Sequence, residues 1–239
     1  MNLHAGYRLK KKNELLLPTV KLMGYWEFTA SIDWCEENYT MSFYIAEFWN
    51  TISSISMIIC GMYIRDKSLS RLMSLVGVGS VFFHMTLSRY AQALDEVPMI
   101  WLSLMLIKRC LEKLNFTFAS TTRNILGIIY GISSSYFITV HSSRSQFKMF
   151  HTLNTFVTVL VVFLYRILAS RHVILFETYI AATNWFGLGA VLWVIDLFLC
   201  KYIEPIPLHA MWHVCSTLGV YKLVDMLNLN KNILYDYDR

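Results

Sequence analysis

Two histidine-containing motifs have the residue spacing of a metal site. His209 and His213 lie four residues apart in HAMWH, and Ser80 and His84 repeat that spacing in GSVFFH. Residues four apart share one face of an α-helix, so each pair presents both side chains to the same neighbour. A histidine pair at this spacing binds divalent metals, and a third histidine leaves the open position of a catalytic zinc site. We therefore predict that His84, His209 and His213 bind zinc.

The positions of these motifs in the chain place them at a common depth. Asp95, in LDEVP, lies at the start of one apolar segment, and Ser80 and His84 lie at the end of the segment before it. His209 and His213 lie at the start of the last apolar segment. An ionisable group inside a membrane is costly and is a functional candidate by default. The alternative is structural, because a single intramembrane histidine is more often a hydrogen-bonded core residue than a metal ligand. The shared depth favours the metal.

A run of acidic residues precedes the first apolar segment. Asp33, Glu36, Glu37 and Asn38 lie close together, and Glu47 follows them. Clustered carboxylates beside lipid repel each other, and Ca²⁺ would relieve that repulsion through carboxylate and amide oxygens. The alternative is a solvated acidic linker ahead of a helix, whose N-terminal dipole favours acids. Glu47 favours the cation, because we expect it about two turns inside the first helix, where it needs a partner.

The elements that position these residues are predicted to cross a membrane. Of 239 residues, 56% are hydrophobic and 15% are charged, against a usual charged share of about 25%. A spanning helix needs about 20 mostly apolar residues, and only helices or closed barrels satisfy the backbone in lipid. Seven stretches qualify, and we predict an all-α polytopic membrane protein with a bundle of seven transmembrane helices. They run roughly over Ser42–Ile64, Leu69–Leu87, Glu96–Leu111, Asn124–Val140, Phe150–Leu168, Val173–Leu199 and Ile206–Leu227.

The distribution of charge predicts partners and orientation. The net charge is +5, but the basic residues are scattered among apolar segments, so we expect a membrane surface and no nucleic acid as partner. Lysine and arginine are commoner after helices one, three and five and at the C-terminal end, which predicts a cytosolic C-terminus and a lumenal N-terminus. We divide the chain into a basic N-terminal extension (1–23), a seven-helix domain (24–229) and a short cytosolic tail (230–239).

The remaining candidates concern cysteines and buried polar groups. Five cysteines are too few for a disulfide scaffold, but Cys35 and Cys200 both lie at lumenal helix ends, where they could be oxidised together. We interpret Asp196 as a structural hydrogen-bond acceptor. His151 lies near a loop end without a spaced partner and is a weak candidate for any site.

These motifs, taken together, resemble the alkaline ceramidase family of seven-helix membrane hydrolases. The resemblance runs through GYW, DWCEENY, YIAEFWNT, GSVFFHMTL, LDEVPM, WVID and HAMWH, and it covers nearly the whole chain from Gly24 onward. It implies zinc on His84, His209 and His213, with Ser80 and Asp95 completing the catalytic site. It also implies a Cys35–Cys200 disulfide. The calcium ligands that it implies are Asp33, the backbone carbonyl of Trp34, Glu36, Asn38 and Glu47.

The resemblance implies zinc-dependent hydrolysis of the ceramide amide, which gives sphingosine and a free fatty acid, in the endoplasmic reticulum or Golgi. We expect Asp95 to accept the proton of the attacking water and deliver it to the leaving nitrogen, while Ser80 donates a hydrogen bond to the oxyanion. Two alternatives stay open: a seven-helix receptor or transporter, and a related hydrolase of another lipid amide or ester. The preferred acyl chain and the oligomeric state also stay open.

Overall fold

The computed structural model describes residues 24–116, 120–140, 143–203 and 206–237, with side chains for all of these except 143, 144 and 230–237. The described chain contains seven α-helices and no β-strand, which confirms the predicted all-α fold. The predicted basic extension (1–23) lies outside the described residues. The helices are α1 (Phe48–Tyr63), α2 (Lys67–Thr86), α3 (Arg89–Lys113), α4 (Ser120–Val140), α5 (Ser143–Ala169), α6 (Val173–Ile203) and α7 (Leu208–Tyr237).

The apolar composition of the helices is that of a membrane protein. Among the described residues, three helices are long and apolar enough to cross a membrane: α2, the Ser145–Ala169 part of α5, and α6. Only 11% of the most apolar window of α6 is buried inside the protein, so most of its apolar side chains face outward. Outward-facing apolar surface is what contact with lipid requires.

The first helix starts later than the predicted span, at Phe48 instead of Ser42. The backbone N–H groups of Ala46 and Glu47 donate to the carbonyls of Met85 and His84 at the end of α2, each at 2.9 Å. These bonds hold the chain directly ahead of α1 against the C-terminal end of α2. They also satisfy carbonyls that a helix end leaves without partners.

The N-terminus of α1 is capped by a side chain from the preceding loop. The carboxylate of Glu36 accepts hydrogen bonds from the backbone N–H groups of Trp49 (2.6 Å) and Asn50 (2.9 Å). A helix start leaves such N–H groups free, and a negative charge there also interacts favourably with the helix dipole. The loop formed by residues 24–47 is thereby fixed to both α1 and α2.

The helices pack so that α1 adjoins both α2 and α7. α1 contacts α2 and α7, α2 contacts α3, and α7 contacts α6 as well as α1. An apolar core that includes Met73, Leu106, Tyr165, Leu168 and Met226 fills the half of the bundle toward the end of α1. The buried polar residues, among them three histidines, lie in the other half, near the loop of residues 24–47.

Candidate metal centre and active site

Three histidines from two helices converge in the polar half of the bundle. His84 lies at the end of α2, and His209 and His213 lie in the first two turns of α7. Their ring centroids are 4.6 to 5.2 Å apart, and each offers a ligand nitrogen within 4.8 Å of the others. In the described chain no other group of three or more His, Cys, Asp or Glu residues converges in this way. The three buried histidines could therefore hold a metal ion.

The ring of His84 is oriented by Glu47, which directly precedes α1. Its Nδ1–H donates to the carboxylate of Glu47, because a carboxylate can only accept. The same carboxylate accepts from the backbone N–H of Trp34 at 3.0 Å and from the side-chain amide of Asn50 at 3.1 Å. The Nε2 of His84 is buried and has no hydrogen-bond partner in the described chain. This nitrogen is therefore the one available to a metal.

The ring of His213 is oriented by serines on α1. Its Nδ1 lies 2.8 Å from the hydroxyl of Ser53, which is also 3.0 Å from the carbonyl of Asn50. When the single proton of Ser53 goes to that carbonyl, the Nδ1–H of His213 can donate to the serine oxygen. The Nε2 of His213 then carries a free lone pair.

His209 is held by its backbone and by stacking. Its backbone N–H donates to the carboxylate of Asp196 on α6 at 3.1 Å, and its ring stacks on the indole of Trp34 with centroids 3.6 Å apart. The Nδ1 of His209 is buried and unpartnered within the described residues.

The chemistry of these three side chains fits a metal. A buried polar atom without a hydrogen bond is costly, and two of the rings carry such a nitrogen. A metal ligand needs a neutral imidazole whose other nitrogen is held by a partner, which Glu47 and Ser53 supply to His84 and His213.

Ser80 and Asp95 lie on two helices that approach closely beside the histidines. Ser80 is buried one turn before His84, with its hydroxyl 2.9 Å from that of Ser54. Asp95 is half-buried, and its carboxylate makes no hydrogen bond within the described chain. The close approach is at Gly79, where an added Cβ would overlap the backbone of Leu94 and Asp95. The structure thus brings the backbones of these two candidates together, while no described contact joins the Asp95 carboxylate to a histidine.

The acidic residues ahead of α1 lie around the loop without converging as closely as the histidines. Asn38 donates through its side-chain amide to Asp33 at 2.8 Å, and the amide oxygen of Asn38 is buried without a partner in the described chain. Asp33 keeps an exposed surface, but partial loss of water around its carboxyl group, followed by the charge of Glu47, raises its pKa to about 6, despite the hydrogen bond from Asn38. Loss of water contact also raises the pKa of Glu36. A raised pKa means that the ionised forms of Asp33 and Glu36 are disfavoured, and a bound cation would stabilise them.

A disulfide joins this loop to the end of α6. Cys35 is bonded to Cys200, which confirms the predicted disulfide. One turn before Cys200, the carboxylate of Asp196 accepts from the backbone N–H groups of Cys35 (3.2 Å) and His209 (3.1 Å). Asp196 is therefore the structural hydrogen-bond acceptor that the sequence predicted, and it ties the loop and α7 to one point on α6.

Sequence reasoning missed a group of aromatic side chains beside the histidines, which we call the aromatic wall: Trp34, Phe147, His151 and Trp193. The ring of Trp34 contacts those of Trp193 (centroids 6.1 Å apart) and Phe147 (6.3 Å). On the other side, the ring of His151 contacts that of Phe147 (4.0 Å) and stacks on that of Trp193 (5.1 Å). The only signal in the sequence was the spacing of Phe147 and His151, which are four residues apart and share a helix face.

Comparisons with known proteins match this chain to one protein family. The protein-family model described as Ceramidase matches residues 26–236. Alkaline ceramidase 3 of Mus musculus is 32% identical, with 86% of each chain covered. Alkaline ceramidase YPC1 of Saccharomyces cerevisiae is 27% identical, covering 85% of this chain and 78% of the yeast protein. An alkaline ceramidase of Arabidopsis thaliana is 28% identical, covering 81% and 80%.

Proposed function

Because this chain belongs to the ceramidase family, we infer that it is a membrane enzyme that hydrolyses the amide bond of ceramide, giving sphingosine and a free fatty acid. The observation that carries this inference from the chain's own residues is the convergence of His84, His209 and His213.

The metal that we propose at this centre is zinc, bound by His84, His209 and His213. A trio of neutral histidine ligands with an open fourth position is typical of catalytic zinc. When bound, zinc would polarise the amide carbonyl and lower the pKa of a coordinated water to about 7. Glu47 and Ser53 would hold two of the ligands in the correct tautomer.

The proposed catalytic residues are Asp95 and Ser80. Asp95 has no hydrogen-bond donor among the described residues, so its carboxylate is available to accept the proton of the attacking water. It would then protonate the leaving nitrogen, since an amine leaves poorly without a proton. The Ser80 hydroxyl, anchored by Ser54, would donate to the oxygen on which negative charge develops.

A second cation, calcium, is proposed in the loop ahead of α1. Its ligands would be the side chains of Asp33, Glu36, Asn38 and Glu47 and the backbone carbonyl of Trp34. Two features support this proposal. The amide oxygen of Asn38 has no hydrogen-bond partner in the described chain, and the raised pKa of Asp33 shows that its carboxylate lacks a nearby positive charge; a bound cation would supply what both groups lack. Since Glu47 also holds His84, calcium would act by fixing the loop beside the zinc ligands.

The proposed location is the membrane of the endoplasmic reticulum or Golgi, with the N-terminus lumenal and the C-terminus cytosolic. The Cys35–Cys200 disulfide supports this orientation, because disulfides persist in the oxidising lumen. The substrate would be a ceramide-type lipid taken directly from the bilayer.

One experiment tests the function and the metal together. Detergent-purified protein is analysed for bound metal and assayed on a panel of ceramides, other lipid amides and lipid esters. We expect tightly bound zinc and fatty-acid release from ceramide. His209→Ala should lose both. His172→Ala removes an imidazole that directly precedes α6, at the end of the helix remote from Asp196, and it should keep both.

Each other outcome contradicts part of the proposal. Normal hydrolysis by a zinc-free His209→Ala protein would refute the zinc site. Metal-free wild-type protein that binds ligands without hydrolysis would support a receptor or transporter. A preference for other amides or for esters would support a related hydrolase.

A further inference from the structure

Beside the histidines, the indole N–H of Trp34 is left without a partner. Trp34 is 9% exposed, and its Nε1 is buried without a hydrogen bond in the described chain. Tryptophan N–H groups usually find an acceptor when they are buried, because the unpaired donor is costly. The indole lies flat against His209, so this donor is at the border of the proposed reaction centre.

His151, on the opposite side of the aromatic wall, offers the complementary group. Its Nδ1 lies 2.8 Å from the backbone carbonyl of Phe147, and a carbonyl can only accept, so Nδ1 carries the proton. The Nε2 of His151 is then an acceptor, and it makes no hydrogen bond within the described residues. The wall therefore presents a buried donor on Trp34 and an acceptor on His151, while its other indole N–H belongs to Trp193, whose side chain is only half-buried.

We propose that Trp34 Nε1 and His151 Nε2 form a subsite for the hydroxyl groups of the lipid's sphingoid head. This inference rests on the proposed ceramide hydrolysis and adds to it the residues that recognise the part of the substrate beside the amide. A hydroxyl both accepts and donates a hydrogen bond, which matches the pair of groups on the wall. Alkyl amides without hydroxyls would leave both groups unpaired.

The position of the subsite suits this role. The hydroxyls of a sphingoid base are on carbons close to the amide nitrogen, and Trp34 stacks directly on a proposed metal ligand. A hydrogen bond inside a ring of apolar side chains is stronger than one in water, because little solvent competes. The subsite would thus position the amide bond of the substrate beside His209. It would also favour lipids that carry these hydroxyls over lipids that lack them.

The test compares substrates across matched variants. kcat/KM is measured for ceramide and for an N-octadecyl fatty amide that has neither hydroxyl, with bound metal determined in each preparation. Wild-type protein should prefer ceramide by roughly 10- to 100-fold, the usual effect of leaving a buried polar group unpaired. Trp34→Phe retains a ring against His209 but removes the N–H, and it should reduce this preference several-fold while metal stays bound and the contribution of His151 remains.

Two further variants assign the effect to particular atoms. Trp193→Phe makes the same change of ring in the same wall without touching the buried donor, and it should keep the wild-type preference. His151→Phe should reduce the preference as Trp34→Phe does, and His151→Gln should restore part of it. Analogues lacking only one hydroxyl then identify which group each residue binds.

The outcomes separate this inference from the proposed function. The subsite would be overturned if Trp34→Phe kept the wild-type preference for ceramide, or if Trp193→Phe lost as much of it as Trp34→Phe. Either result, with an active wild-type enzyme, would leave the proposed ceramide hydrolysis intact. Wild-type protein that hydrolyses no amide at all would overturn both.

Discussion

Glu47 and His84 are joined by two hydrogen bonds. The backbone N–H of Glu47 donates to the carbonyl of His84 at 2.9 Å, and the Nδ1–H of His84 donates to the carboxylate of Glu47. The first bond fixes the start of α1 against the end of α2. The second fixes the tautomer and direction of a proposed metal ligand, so the two elements and the ring are positioned together.

Glu47→Gln should weaken zinc binding. The amide keeps the size of the side chain but loses the charge that holds the His84 Nδ1–H, and loss of such a partner costs about 10- to 100-fold in metal affinity. Competition with a zinc chelator measures the effect. Glu37→Gln, an exposed acid in the same loop, is the matched control. Equal zinc retention by both variants would contradict the role of Glu47.

Asp95→Asn should separate metal binding from turnover. We expect zinc content to be unchanged, because Asp95 is not part of the converging histidine group. The rate of ceramide hydrolysis should fall by about 10²- to 10⁴-fold, the usual contribution of a positioned acid or base. Metal analysis and a rate measurement on one preparation provide the check. A variant that loses its metal, or one with a normal rate, would be inconsistent with proton transfer by Asp95.

Gly79→Ala should destabilise the protein and lower its activity. The added methyl would overlap the backbone of Leu94 and Asp95, and a backbone cannot move aside as a side chain can. Overpacking of this kind costs about 1–3 kcal/mol and would separate Ser80 from Asp95. Thermal unfolding in detergent measures it. Gly127→Ala, where the added Cβ meets nothing within 4 Å, should be neutral or slightly stabilising.

Stability should depend on pH in opposite senses with and without calcium. The pKa of Asp33 rises from 3.8 to about 6 in the folded chain, so between these values the folded state binds more protons than the unfolded state. In calcium-free buffer, stability should therefore decrease as pH rises from about 4 to about 6. Calcium binds the ionised carboxylates and should reverse this trend. Melting temperatures across this range provide the measurement.

The control for the pH dependence is Asp33→Asn, which cannot ionise at this position. The variant should show a flatter profile without calcium and a smaller stabilisation by it. A wild-type protein whose melting temperature rises with pH in calcium-free buffer would contradict the raised pKa.

Much of the site followed from the sequence because its signals are local. The spacing of His209 and His213 survives in any helix, and the apolar segments place His84 at the same depth. The start of α1 did not follow, because it depends on Glu36, whose carboxylate caps a helix that begins twelve residues later. For the same reason we expected Glu47 inside the helix, whereas it directly precedes it.

Apart from the spacing of Phe147 and His151, the aromatic wall was not visible in the sequence. Trp34, His151 and Trp193 come from a loop, α5 and α6, and nothing in their local sequence indicates that they touch. His151 has no partner on its own helix except Phe147 and was therefore set aside. Such groups become visible only when the packing of three separate segments is known.

The bond between Cys35 and Cys200 spans 165 residues, so one sulfur leaves the ribosome long before the other. During synthesis the early loop must wait, with a reduced thiol, until the sixth helix has been inserted. His209 and His213 arrive later still, on the final helix. A chain arrested before Cys200 would have neither a closed loop nor all three histidines. A chain arrested between Cys200 and His209 could close the loop but would still lack two of the histidines, so the site is complete only after α7 has been made.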